Sequence, residues 1–278
     1  MAFFFKHKQT PLKTQEIQKR KLKFKTGIAF AGGGARGFTH IGALRAFEEE
    51  NIIFDFVSGT SAGSIVGALY CAGYNSSQML SFGKTFTDRQ IRTSSSIIFP
   101  SPSKNIDGLV RSMIGDVTFD KLLIPFRCVA VDLETGQEEI FKSGDVASAV
   151  ACSCCAPVVF QPFKREDRYF IDGGLLNTLP SDVLRFMGAE MVIGVDINST
   201  RGEGTQSIKL TDVMFATWRI AMKSTAYKGY QNSDVVITPD VKRFRSTTVN
   251  QDIEEMAQEG YKAAKEKMPQ IKELLGIK

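Results

Sequence analysis

A three-layer α/β fold, with a mostly parallel central sheet and helices on both faces, is predicted by two features of this 278-residue sequence. Its strand-like segments are apolar nearly throughout, as strands covered on both sides must be. They alternate with stretches of helical apolar periodicity, and a β-α-β-α order joins its strands in parallel.

Residues 27–31 (GIAFA) read as the first strand. Phe38, Ile41, Leu44 and Phe47 then fall on one face of a helix over 38–50. Residues 52–57 (IIFDFV) make the second strand. Ala62, Ile65, Val66, Leu69 and Tyr70 follow at helical spacing, and Gly73 closes that helix. Further strands are expected at 126–131, 168–171, 191–197 and 235–238, and the last helices at 211 to about 231 and 250–275. Residues 84–125 break the pattern. Ser94-Ser95-Ser96 leads into Ile97-Ile98-Phe99-Pro100, an irregular excursion with an apolar tip that reads as a surface loop or as a lid over a site.

Composition sets the class. The chain is 43% hydrophobic and 23% charged, an ordinary globular balance. No apolar run approaches the roughly 20 residues that span a bilayer. The opening Met-Ala-Phe-Phe-Phe-Lys lacks the basic segment and long apolar stretch of a secretory signal, so a cytoplasmic protein is expected. Residues 1–25 carry eight Lys/Arg and one acid, Glu16, and the remainder is close to neutral. This basic tail reads as a solvated, poorly ordered leader or as a peripheral contact with an anionic membrane at its inner surface. Nucleic acid is a weaker third reading of the tail, since the body offers no basic face, and no nucleic-acid partner is expected. Three of the five cysteines, Cys152, Cys154 and Cys155, share one small apolar run, which suits buried thiols. With only His7 and His40 available, no metal site is expected.

The chemistry gathers at three glycine-rich points. Gly32-Gly33-Gly34-Ala35-Arg36-Gly37 lies between the first strand and the first helix, where bare backbone N–H groups form an anion-attracting concavity. It also matches the G-x-G-x-x-G of dinucleotide sites through Gly32, Gly34 and Gly37. The acid that should follow, Asp55, falls inside the second strand rather than at its end, which is poor support. Gly59-Thr60-Ser61-Ala62-Gly63 joins a strand to a helix. That is the context of a nucleophile elbow, with helix capping by Ser61 as the plain alternative. In a parallel sheet both loops open at one edge, so the first can supply oxyanion donors to a nucleophile on the second.

A serine needs a base. His7 lies in the tail, nothing pairs His40 with Ser61, and no later histidine exists to complete an α/β-hydrolase triad. Asp172 opens Asp172-Gly173-Gly174 at the end of a strand. It reads as a turn former, or as a carboxylate that takes the serine proton in a Ser61–Asp172 dyad.

These three motifs, in this order, resemble the patatin-like phospholipase family, whose pattern is G-G-G-x-R-G, then G-x-S-x-G, then D-G-G or D-G-A. Residues 37–44, 118–136, 189–197 and 234–237 are also similar to the bacterial single-domain type. The resemblance covers 26–278, taken as one acyl hydrolase domain, and leaves 1–25 outside. It implies a patatin-like fold and hydrolysis of phospholipid or lysophospholipid acyl esters through an acyl-enzyme. Ser61 would be the nucleophile and Asp172 the base. N–H groups of Gly33 and Gly34, with Gly32 and Ala62, would form the oxyanion hole. Gly59 and Gly63 would be the elbow glycines, Gly173 and Gly174 the turn, and Arg36 a loop-ordering residue. It implies no cofactor, metal or nucleotide. One departure stands out: where such proteins carry R-A-S-x-A-x-P-G, this chain reads Ala151-Cys152-Ser153-Cys154-Cys155-Ala156-Pro157-Val158, without the Arg and the final Gly. Two other classes stay open, a nucleotide-binding oxidoreductase and a non-catalytic interaction protein on the same fold.

Overall fold

The computed structural model describes residues 24–85, 93, 100–198, 209–246 and 252–277. Residues 1–23 of the basic leader and the apolar tip at 97–99 lie outside them.

The core is an α/β sheet. Strands β1 (Thr26–Phe30), β2 (Phe56–Thr60), β3 (Phe126–Asp132), β7 (Met191–Val195) and β8 (Val235–Ile237) run parallel in the order β3-β2-β1-β7-β8. Short strands β4 (Glu138–Phe141), β5 (Phe163–Arg165) and β6 (Arg168–Asp172) add an antiparallel edge around β3. Alternation along β1 sends Ile28 and Phe30 into the larger core and Ala29 into the smaller one, so both faces are covered.

The larger core takes Leu44 and Phe47 from α1 (Phe38–Glu49), Leu69 from α2 (Ala62–Cys71) and Met79 from α3 (Ser76–Gly83). Val110 of α4 (Lys104–Ile114), Val150 of α5 (Val146–Ser153) and Ile271 of α8 (Ile253–Leu275) join them. Helix α6 (Ser181–Phe186) covers the other face through Leu184, and α7 (Leu210–Asn232) lies beside it. α1 and α8 meet backbone to backbone. A Cβ on Gly42 would fall 1.7 Å from the Ala257 carbonyl oxygen, and one on Gly260 would fall 1.8 Å from that of Thr39.

Three expectations need correction. The second strand starts at Phe56, not Ile52: Ile52 and Phe54 are buried but lie in the irregular connection before it. The 84–125 segment is not irregular throughout, because α4 occupies Lys104–Ile114 with Ile106, Leu109 and Val110 turned inward. The strand expected over 191–197 ends at Val195.

Candidate active site

Ser61 sits where β2 turns into α2, with φ 51° and ψ −126°. A side chain rarely adopts this conformation, and the packing around it imposes the bend. A Cβ on Gly63 would come within 2.2 Å of the Phe30 carbonyl oxygen, and one on Gly59 within 2.6 Å of the Gly63 carbonyl oxygen. The bend is also tied from outside. The Ser61 N–H donates to Ser153 Oγ at 2.8 Å, and that hydroxyl donates to the Val129 carbonyl at 2.6 Å. The cysteine-rich 151–158 segment therefore buttresses the elbow.

Asp172 ends β6. On β3, Val129 is in register with Thr60 and Ala130 with Asp172, so neighbouring rungs carry the serine's predecessor and the aspartate. The aspartate is fully buried. Its Oδ1 accepts the Gly174 N–H at 2.8 Å, and its Oδ2 has no hydrogen-bond partner within 3.5 Å among the described residues. Burial pushes this carboxyl up to about 6, against the nearby Ser61 hydroxyl and the Gly174 N–H, which favour the anion. Ser61 and Asp172 are thus close enough to interact, without a short bond between them.

The first glycine loop faces the elbow: a Cβ on Gly32 would stand 3.2 Å from Ser61 Cβ. Its backbone is held at several points. Gly32 N–H donates to the Thr178 carbonyl at 3.0 Å, and Ala35 N–H donates to that of Ser246 at 2.9 Å. The buried Arg36 donates from Nε to the Phe244 carbonyl at 2.9 Å, which clamps the loop to the segment before α8. The Gly32 N–H is therefore spent, and Gly32 leaves the expected donor set. The N–H groups of Gly33, Gly34 and Ala62 meet no acceptor among the described residues. Those of Gly33 and Ala62 start short helices, whose orphan N–H groups and dipoles attract negative charge. At Gly34 φ is 60°, and a Cβ would lie 2.3 Å from the Ser246 carbonyl oxygen, so the loop admits only glycine there.

His40 is elsewhere. It is fully buried, and its Nε2 donates to the Ala31 carbonyl at 2.8 Å while its ring meets Phe30 edge-on. Burial lowers its pKa to about 4, with the Ala31 contact opposing. The acid that would serve a dinucleotide, Asp55, accepts the Thr26 N–H at 2.8 Å, at the opposite end of β1 from the glycine loop.

A cavity of about 210 Å³ opens beside Ser61. Its wall is almost wholly apolar and includes Phe38 and Ile41 of α1, Ile106 and Met113 of α4, and Phe215 and Trp218 of α7. Cys154 also lines it, 3.7 Å from Ser64 Oγ. Burial and the Asp172 charge hold that thiol well above the ordinary range, so it is no thiolate nucleophile. All five cysteines are buried and free. Cys152 and Cys155 stand in C-x-x-C spacing, but no group of three His, Cys, Asp or Glu side chains converges among the described residues.

Sequence reading missed Ser153, Thr178, Asn198 and Met222. Only Ser153 carried a signal, because it occupies the serine of the R-A-S-x-A-x-P-G-like segment. The others reach the site from distant elements. Thr178 Oγ1 lies within hydrogen-bond reach of both the Gly174 and the Met222 carbonyl, either of which can accept its single proton, and Asn198 Nδ2 donates to the Gly32 carbonyl.

Comparison with known proteins gives a consistent result. The family model described as "Patatin-like phospholipase" matches residues 28–185. An uncharacterized NTE family protein of Mycobacterium tuberculosis is 31% identical over 183 residues, covering 63% of this chain and 50% of its own length. The neuropathy target esterase of Drosophila melanogaster is 29% identical over 184 residues, covering 62% of this chain and 13% of its own. The chain thus spans half or less of these relatives. Among solved structures, VipD from Legionella pneumophila superposes with a TM-score of 0.58 at 15% identity, over 89% of this chain and 67% of its own. The type III effector ExoU gives 0.51 at 12%, over 88% and 53%. At these identities the structural likeness concerns the fold.

Proposed function

Because the chain belongs to the patatin-like phospholipase family, we propose that it is a serine acyl hydrolase that cleaves carboxylic esters of phospholipids or lysophospholipids with a Ser61–Asp172 dyad. One observation carries this reading. Ser61, on a strained elbow, and the buried Asp172 interact beside an apolar cavity, and the N–H groups of Gly33, Gly34 and Ala62, without acceptors among the described residues, belong to the loop that faces the elbow and to the residue after the serine.

The reaction follows from these positions. The Ser61 Oγ attacks the ester carbonyl while its proton passes to the Asp172 carboxylate. Negative charge grows on the former carbonyl oxygen, where the three N–H groups stabilise it; losing one such donor typically costs about 2.7–4 kcal/mol. Collapse breaks the ester C–O bond, and the departing alcohol takes the proton from Asp172. Water then attacks the acyl-enzyme and gives a proton to Asp172, which returns it to Ser61 as the acid leaves. The apolar cavity fits an acyl chain better than a charged group. A nucleotide reading lacks its acidic partner, since Asp55 serves the other end of the sheet.

The domain is read as 26–278, with 1–25 as a basic tail whose eight Lys/Arg favour anionic lipid surfaces. No helix among the described residues is long and apolar enough to cross a membrane.

Fluorophosphonate labelling with mass mapping tests the reading. The adduct is expected on the peptide containing Ser61. Ser61→Ala and Asp172→Asn should each lower ester turnover at least about a thousandfold, and His40→Ala should keep most of it. Turnover that survives Ser61→Ala would refer the activity to another group, or leave a fold used for binding alone.

A further inference from the structure

We propose that Asn198 is a positioning residue that holds the Gly32–Gly33 peptide in the orientation that turns the Gly33 N–H toward the reacting carbonyl oxygen. The inference rests on the acyl hydrolase reading, since an oxyanion donor matters only to that chemistry.

A trans peptide unit is planar, and its C=O and N–H point in opposite directions. No cis peptide is present among the described residues. The Gly32 carbonyl accepts a hydrogen bond from Asn198 Nδ2 at 2.5 Å, so the Gly33 N–H points away from Asn198. Ser61 and Asn198 flank this stretch of the loop. The side-chain direction of Gly32 faces Ser61 Cβ at 3.2 Å, and that of Gly33 faces Ile197 Cδ1 at 2.5 Å and Asn198 Oδ1 at 3.4 Å.

The restraint matters because a peptide between two glycines meets little steric resistance to rotation. The neighbouring N–H groups of Gly32 and Ala35 are anchored on the Thr178 and Ser246 carbonyls. Among the described residues Asn198 is the one donor to the Gly32 carbonyl. If this peptide turned over, it would present a carbonyl oxygen where an N–H is needed, replacing attraction for the oxyanion with repulsion.

Asn198 is itself fixed. Its backbone N–H donates to Asp196 Oδ1 at 2.9 Å, and its Nδ2 lies 3.4 Å from the same oxygen. Both groups near Nδ2 are acceptors, which sets the amide with its nitrogen toward Gly32. Asp196 is buried, and its Oδ2 accepts the Tyr230 hydroxyl of α7 at 2.8 Å. Three side chains from the β7 end and α7 thereby hold one peptide of the first loop.

The test compares wild type, Asn198→Ala and Asn198→Leu, the last keeping side-chain volume without a donor. Readouts are kcat and KM for a short-chain ester, Ki for a trifluoromethyl ketone of the same acyl chain, and Tm. The ketone forms a tetrahedral oxyanion on a serine and so reports the donors directly. Both variants are expected to lose about 10–100-fold in kcat, less than the 10²–10³ lost with a donor itself. KM and Tm should hold, and Ki should rise by the same factor as kcat falls. An unchanged kcat in either folded variant overturns the proposal. So does a kcat loss without a matching rise in Ki, or one accompanied by an equal rise in KM. A wild-type chain that neither labels at Ser61 nor cleaves the ester would remove the acyl hydrolase reading and this inference with it; an active, labelled wild type with indifferent variants removes this inference alone.

Discussion

At Asp172, burial favours the neutral carboxyl while the Ser61 hydroxyl and the Gly174 N–H favour the anion, and burial prevails at a pKa of about 6. In the proposed dyad only the anion can take the serine proton. The kcat/KM of a short-chain ester is therefore expected to rise with pH through about 6 and then level off. His40 stays neutral down to about 4, so the profile of His40→Ala between pH 5 and 8 should superimpose on that of wild type. A second limb that vanished in this variant would implicate the imidazole. The same shift bears on stability. A carboxyl raised from 3.8 to about 6 binds more protons folded than unfolded, so its contribution is fully present below 3.8 and is lost as pH rises through about 6. Asp172→Asn removes that loss. Urea titrations should find the variant more stable than wild type at pH 7.5 by about 1–3 kcal/mol, with the gap closing at pH 4. Ser61 and Asp172, the proposed pair, could be picked out as candidates because each stands in a glycine frame at a strand end and no late histidine competes. Asn198 was not. Its partner Gly32 is 166 residues away, and a single Asn after a strand has no spacing to announce it.

Among the helices, the contact of α1 with α8 is set by two glycines that let the backbones touch. Gly42→Ala would drive a methyl group into the Ala257 carbonyl, and the helices must separate to admit it. A loss of about 3 kcal/mol is expected from chemical denaturation, with kcat of the folded fraction little changed. Loss of turnover without loss of stability would mean that this seam reaches the site. Element existence was readable where burial and periodicity agree, as in α1, α2 and α8. Boundaries failed where they part. Ile52 and Phe54 are as buried as any strand residue, yet they make no ladder, since apolarity reports burial and not pairing. Of the antiparallel strands, β6 was expected, but β4 and β5 escaped notice because β4 reads Glu-Glu-Ile-Phe and β5 has three residues, neither forming an apolar run. Helix α3 did carry a signal, the Asn75-x-x-Gln78 capping box, whose reciprocal bonds the structure displays at 2.9 and 3.0 Å.

For the molecule as a whole, charge is the property most unevenly placed. If the leader serves a lipid surface, sedimentation with phosphatidylglycerol vesicles should weaken steeply between about 0.1 and 0.5 M salt, where screening shortens from roughly 10 Å to a few ångströms. Removing residues 1–23 should abolish it while leaving turnover of a soluble ester intact. Binding that ignores both changes would refer lipid contact to the body of the protein. Fold class was readable at this scale because alternation and strand apolarity are properties of the whole chain. The order of the strands was not, since pairing across long separations leaves no local trace.

That order has a consequence for how the protein comes into being. β1 leaves the ribosome well before one of its two neighbours, β7, which ends at Val195. At ordinary translation speeds the strand waits on the order of 10–30 s with one flank bare, an invitation to wrong partners that newborn chains meet with chaperones.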